Sequence, residues 1–337
     1  MNAQIRFGKT PSASGRYAGL TLAFLALGCH TAPVLMPRAE VRPPAYSSRE
    51  AISGRLDLGA DADSAALVDV WSLAFGKIHL DMALGLARPD GRAEGRTFLD
   101  GEVPLMVMGR RLTRDEVERF QKRTGHPPER IVVALEPLAV LVNAQNPITS
   151  LRMEQLDALY SSDRRSNLTQ PTGLWSDMGL GGNWANRKIT VYAPRADSAR
   201  CTAFREQALL KADIRDTVRR YADADAMQEA LVLDPGGIAF GSMRNLSPRV
   251  KVLSLVVPSG PVPALPDAAS IRAGRYPLVR YLYLYANAAP ADPLPTAAAE
   301  FVRFCLSKEG QNLLPALGLV PIPADVAKAG LSRVTPL

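Results

Sequence analysis

Three cysteines and three histidines in 337 residues leave little material for metal or thiol chemistry. A metal site gathers several such ligands, but His30, His79 and His126 are scattered, and no serine–histidine–acid arrangement accompanies them. The chain therefore reads as a non-enzyme that uses no metal and no cofactor. Aromatic residues make up only 6 % of it. No basic run interleaves with them, so the footprint of a nucleic-acid binder is absent. Of the formal net charge of +7, Arg6, Lys9 and Arg16 supply three before the first apolar run. No apolar run reaches the roughly 20 residues that a membrane-spanning helix needs, and no internal repeat is visible.

What is present begins with that short apolar run, Tyr17 to Leu27, preceded by basic and followed by small residues. It has the form of a secretory signal over residues 1–28. Gly28-Cys29 follows directly and resembles a bacterial lipoprotein signal, in which Cys29 becomes the acylated first residue. The alternative is a soluble export signal cut nearby. Either places the mature chain outside the cytoplasm; lipidation makes it a periplasmic protein anchored at the cell envelope. Residues 29–50 carry Pro33, Pro37, Pro43 and Pro44 without apolar periodicity, the composition of a tether. Folded structure is expected from about Ile52.

The body alternates strand-like and helix-like segments, which indicates an α/β fold. Leu67, Val70, Trp71, Ala74 and Phe75 follow the spacing of an amphipathic helix. Thr113 and Glu116 form a capping box for a helix through Phe120 that ends before Gly125. Leu138 to Val142 is continuously apolar, as for a strand covered on both faces. Ser150 is placed to cap a helix carrying Met153, Leu156 and Leu159. Further strands are expected at Val250–Val257 and Arg280–Tyr285, and a helix is lined by Ala298, Phe301, Val302 and Cys305. Cys201 and Cys305 both fall on apolar helix faces. They read as buried thiols, with a disulfide the alternative in an oxidising compartment.

Val191-Tyr-Ala-Pro-Arg-Ala-Asp-Ser-Ala-Arg-Cys-Thr-Ala-Phe204 carries the chemistry. A strand ends at Pro194, and Asp197 or Ser198 caps the helix that follows. A helix opening after a strand presents free N–H groups and a positive dipole end, which favour an anion. Arg195 and Arg200 flank that point with full charges.

The order of phrases resembles the phosphate-binding subfamily of periplasmic solute-binding proteins, the receptors of ABC importers. The phrases are Met108-Gly-Arg-Arg-Leu-Thr113, Leu138-Ala-Val-Leu-Val-Asn143, the tryptophan–glycine loop Leu174–Arg187, Tyr276–Tyr285, and Phe301 through Gln311. The resemblance implies two α/β lobes joined by two crossing strands and closing like a clamp on a small oxyanion. Lobe I would comprise residues 51–138 plus 250–330, and lobe II residues 139–249. It further implies a monomer that binds phosphate or a related oxyanion for import or sensing, with an ABC permease as partner. The ligand positions so implied are Arg195, Ser198, Arg200, Arg110, Asp61 and, in an arginine-bearing loop with Arg92 and Arg96, Arg88.

All four ligand elements depart from the family pattern while the framework phrases stand. Gly59-Ala-Asp-Ala62 replaces two hydroxyls and sets Asp61 between them; Asp61, Asp63 or Ser64 can cap the helix there. Gly109-Arg110 keeps an arginine without its serine, and Ala199-Arg200 replaces a glycine and a threonine. The alternative function is accordingly a receptor fold turned envelope interaction or assembly lipoprotein, without a small ligand.

Overall fold

The structure is a computed structural model and describes residues 43–87, 95–166, 168, 172–257, 260–289 and 293–333. The expected signal segment, Cys29, Arg88 and Arg92 lie outside the described residues.

β1 (Gly54–Ala60) leads into α1 (Ala65–Ile78), and β2 (Met82–Ala87) returns parallel to β1. After α2 (Arg96–Leu99), β3 (Leu105–Met108) lies parallel on the other side of β1. α3 (Arg114–Thr124) has the expected capping box and ends at Gly125, whose φ of 83° suits a residue without Cβ. β4 (Glu129–Pro137) closes this part of the chain.

The chain then enters a second sheet with β5 (Ala139–Asn143). β6 (Ser150–Arg152) precedes α4 (Met153–Tyr160). Ser150 thus pairs in a strand instead of capping α4. The capping bond comes from Gln155, whose side-chain oxygen accepts from the Arg152 N–H at 2.9 Å. β7 (Thr190–Pro194), α5 (Ala199–Ala208), β8 (Arg219–Tyr221), α6 (Ala224–Leu233), β9 (Gly237–Gly241) and β10 (Val250–Val252) follow. The apolar run Val250–Val257 is split: β10 pairs with β5, while β11 (Ser254–Val257) joins β6 and β12 (Gly260–Ala264) in a small sheet. After α7 (Ala268–Arg272), β13 (Val279–Ala286) inserts between β3 and β4 of the first sheet. α8 (Thr296–Cys305), α9 (Lys308–Asn312) and α10 (Ala324–Leu331) finish the body.

Two five-stranded sheets result, in the orders β2-β1-β3-β13-β4 and β10-β5-β9-β7-β8. This is the two-lobed α/β fold. Each sheet is apolar on both faces because helices cover both. In β3, Leu105 and Val107 join one core cluster and Met106 and Met108 another. In β5, Val140 and Val142 face one cluster and Ala139 and Leu141 a second. Continuous apolar runs are the consequence. Phe204 of α5 stacks on Phe240 of β9 at 3.7 Å between ring centroids, fixing α5 against its sheet. Cys201 and Cys305 are free and buried.

Residues 43–50, the described end of the proline-rich stretch, are held against the body before Ile52. The Tyr46 hydroxyl meets His79 Nε2 at 2.7 Å and donates to Glu300 at 2.8 Å, and the Lys308 N–H donates to the Pro44 carbonyl at 2.9 Å.

Candidate functional site

In both sheets the parallel strands end toward one cleft of about 470 Å³. Its walls are residues just past those ends. Ala62 and Asp63 follow β1, Arg110 follows β3, Arg195 follows β7, Ala222 and Asp223 follow β8, and Ser242 follows β9. Open α/β sheets bind ligands at this edge, since connecting loops and helix starts gather there. α1, α5 and α6 all begin beside the cleft, so three positive dipole ends converge on it.

The chain supplies an aspartate at each of these helix starts. Asp61 is 1 % exposed and accepts from the Ser64 N–H at 2.8 Å and the Gly109 N–H at 2.7 Å. Of the three candidates at α1, Ser64 is the N-cap and its side chain makes no capping bond, while Asp61 holds the Ser64 N–H in the turn before the helix. Burial, and after it the charge of Asp63, pushes the Asp61 carboxyl above the usual range. Asp223 caps α6 by accepting from the Asp225 N–H at 2.6 Å and the Ala226 N–H at 3.3 Å. At α5 the cap is Ser198, whose Oγ accepts from the Cys201 N–H at 3.1 Å and donates to the Arg195 carbonyl at 2.9 Å. Ser198→Ala should lower stability by about 1 kcal/mol, read as a small fall in the thermal midpoint with the fold retained. Asp197 instead pairs with Arg195, whose Nε donates to it at 2.9 Å.

Arg110 and Glu116 face each other across two parallel bonds of 2.7 and 2.8 Å. The Thr113 N–H adds a third bond to Glu116 at 2.7 Å. Burial alone would raise the Glu116 carboxyl, but Arg110 and the Thr113 N–H more than offset it and hold it low. Arg96 pairs with Asp100 at 3.3 Å and is not among the cleft-lining residues.

The base of the cleft holds a buried charge cluster that local sequence reading did not find. Arg200, from the first turn of α5, donates through Nε to Glu136 at 2.9 Å and through Nη1 to Asp63. Arg280 donates through Nε to the other oxygen of Glu136, and through Nη1 to the Gly109 carbonyl at 3.1 Å. Its Nη2 lies 3.1 Å from Asp63. Glu136 and Arg280 are cross-strand partners in the β4–β13 ladder and are 1 % and 3 % exposed. Gly109 is the hub: a Cβ there would come within 2.0 Å of Arg280 Nη1, so the missing side chain makes room for the guanidinium. Burial works against charge on Glu136, yet Arg200 and Arg280 overcome it and hold the carboxyl below its usual range. Burial likewise pulls Arg200 down, and Glu136 and Asp63 push it up further. Glu136 and Arg200 are therefore both held in their charged forms.

Arg195, Ser198, Arg200 and Arg110 thus all line one cleft, and Asp61 sits directly beneath it. Tyr221, Glu116, Asp223 and Ser242 line it as well and were not anticipated. The available hint was positional. Glu136 closes the apolar run Ile131–Leu135, and Arg280 opens the apolar strand through Tyr285, where a solvated charge is out of place.

The family model described as the PBP superfamily domain matches residues 58–309, most of the chain. The chain belongs to this family. The chain is 28 % identical over 315 residues to the phosphate-binding protein PstS of Pseudomonas aeruginosa, covering 93 % of this chain and 97 % of that protein. It is 26 % identical over 310 residues to the protein SphX of Synechococcus elongatus, covering 90 % and 88 %. Of solved structures, an ABC-type phosphate transport receptor from Vibrio cholerae superposes with a TM-score of 0.59 at 19 % identity, over 80 % of this chain and all of the other. The ancestral soluble variant of the human phosphate-binding protein gives 0.60 at 14 % identity, over 82 % and 93 %. The expected resemblance to the phosphate-binding subfamily is borne out, with the same two-lobed fold.

Proposed function

We propose that this PBP domain is an extracytoplasmic solute-binding protein of the phosphate-binding class. It takes a small oxyanion into the interlobe cleft and serves an ABC permease or a sensor, held at the membrane through lipidated Cys29. The observation that carries this reading is the convergence of three helix N-termini with Arg110 and Arg195 on one cleft, in a chain that aligns end to end with PstS. The charge of Arg200 is matched by Glu136 and Asp63, so the charge offered to an incoming anion comes from Arg110 and Arg195. Each already holds a carboxylate, Glu116 or Asp197, that shares the guanidinium. Ser242 and the Tyr221 hydroxyl line the cleft around them as neutral donors, while the Ser198 hydroxyl is committed to the Arg195 carbonyl.

Calorimetric titration of the full chain with phosphate and with sulfate tests the reading. Phosphate should bind, and Arg195→Ala should weaken it roughly 10- to 100-fold, as the loss of one charge-assisted hydrogen bond of about 1.5–3 kcal/mol. Flat titrations with both anions would rule the oxyanion reading out.

A further inference from the structure

We propose that the buried cluster of Arg200, Asp63, Glu136 and Arg280 is an interlobe latch, in which the chain's own carboxylates hold the clamp closed without ligand. The inference concerns the regulation of the cleft just described. It rests on the two-lobed solute-binding reading for its two states, but not on which anion is bound.

The geometry divides the cluster between the lobes. Arg200 belongs to α5, packed on the second sheet through Phe204 and Phe240. Asp63 precedes α1 and is tied to the first sheet by neighbouring Asp61, which bonds Gly109 after β3. Glu136 and Arg280 sit on β4 and β13 of that same sheet. The Arg200–Asp63 pair therefore spans from one lobe to the other, at side-chain exposures of 16 % and 18 %. A second bridge lies one helical turn pair further along α5. Gln207 donates to the Val279 carbonyl at 2.9 Å and accepts from the Val279 N–H at 2.9 Å, joining α5 to the start of β13.

A clamp that closes on a ligand does so because the ligand contacts both lobes and favours the closed state. Here the contacts between lobes are made by groups covalently part of the chain, at far higher effective concentration than any dissolved anion. Opening would strip Arg200 of both its carboxylates and leave Arg280 as the one arginine of the cluster facing Glu136 and Asp63. The aspartates at the starts of α1 and α6 act in the same direction, since they occupy dipole ends that an anion would otherwise complement. An anion that enters the cleft consequently gains no further closure by binding.

The test measures the interlobe distance in the full-length chain. Spin labels are placed on p-acetylphenylalanine introduced at Lys122 of α3 and Glu229 of α6, which are exposed and on different lobes. This chemistry leaves the native cysteines untouched. The wild-type chain should give one narrow distance that inorganic phosphate does not shift. Asp63→Asn removes one charge of the interlobe pair and should add a longer-distance population, with circular dichroism reporting the fold. A wild-type distance that is broad or long without phosphate and contracts on adding it overturns the latch. So does a folded Asp63→Asn chain with an unchanged distance. The wild-type arm decides the matter even if the variant fails to fold. Parallel calorimetry separates the two readings: a closed distance with no heat of phosphate binding supports the latch and sinks the oxyanion reading.

Discussion

Glu136→Ala should cost about 3–5 kcal/mol of folding stability, because it leaves two buried guanidiniums without their shared partner. Glu136 receives bonds from Arg200 and Arg280, and neither arginine can lose its proton to escape the penalty. Urea denaturation of the variant should show a much earlier midpoint. Asp57→Ala, which breaks an exposed pair with Arg55, should stay within about 0.5 kcal/mol of the parent. A cost for Glu136→Ala as small as that of the control would mean that water reaches the arginines. The acid limb of stability should report the same residue. The folded carboxyl of Glu136 lies below its unfolded value, so its contribution is complete above the unfolded pKa. It is lost as pH falls through the folded one. Asp61 acts with the opposite sign, since its folded value is raised and its ionisation opposes folding as pH climbs through the window above the unfolded value. In Glu136→Gln the fall in stability on acidification should flatten accordingly.

Trp71→Ala should have an effect of similar size, about 3–5 kcal/mol, for a different reason. Trp71 is fully buried on the inner face of α1, and its indole N–H donates to the Gly310 carbonyl at 2.9 Å. It thereby ties the first helix of the body to α9 near its end. Phe75, one turn on, meets Phe301 and Phe304 of α8 edge-on at 5.3 and 5.6 Å. Truncation removes the largest side chain of this cluster and leaves a buried carbonyl unpaired. Trp71→Phe separates the two contributions, because it keeps most of the apolar contact and loses only the hydrogen bond. Its cost should be nearer the 1–3 kcal/mol of an unsatisfied buried group. The measurement is the urea midpoint by circular dichroism, since fluorescence would lose one of three tryptophans. Equal costs for the two variants would show that packing contributes little here.

Much of the fold is written locally. Periodicity marks α1 from Leu67 to Phe75, and the Thr113–Glu116 box and Gly125 bound α3, because caps and turns are decided by neighbours within four residues. The same local chemistry placed the candidate site: Ser198 caps α5 and Arg195 precedes it, whatever the rest of the chain does. Local reading failed at Ser150, where pairing with distant β11 outcompeted a helix cap. It also failed at the apolar run Val250–Val257, which serves two different sheets.

By itself the sequence determined the succession of strands and helices, the family, and the turns that meet at the cleft. What those turns hold in place was decided only by tertiary structure. Arg200 is separated by 64 residues from Glu136 and by 137 from Asp63. A guanidinium's partner is whichever carboxylate the fold brings within hydrogen-bond reach, and water exclusion then makes that choice costly to undo. No spacing along the chain encodes such a pairing. It exists because the two sheets present their strand ends to one another, with a glycine at position 109 leaving the space in which the charges meet.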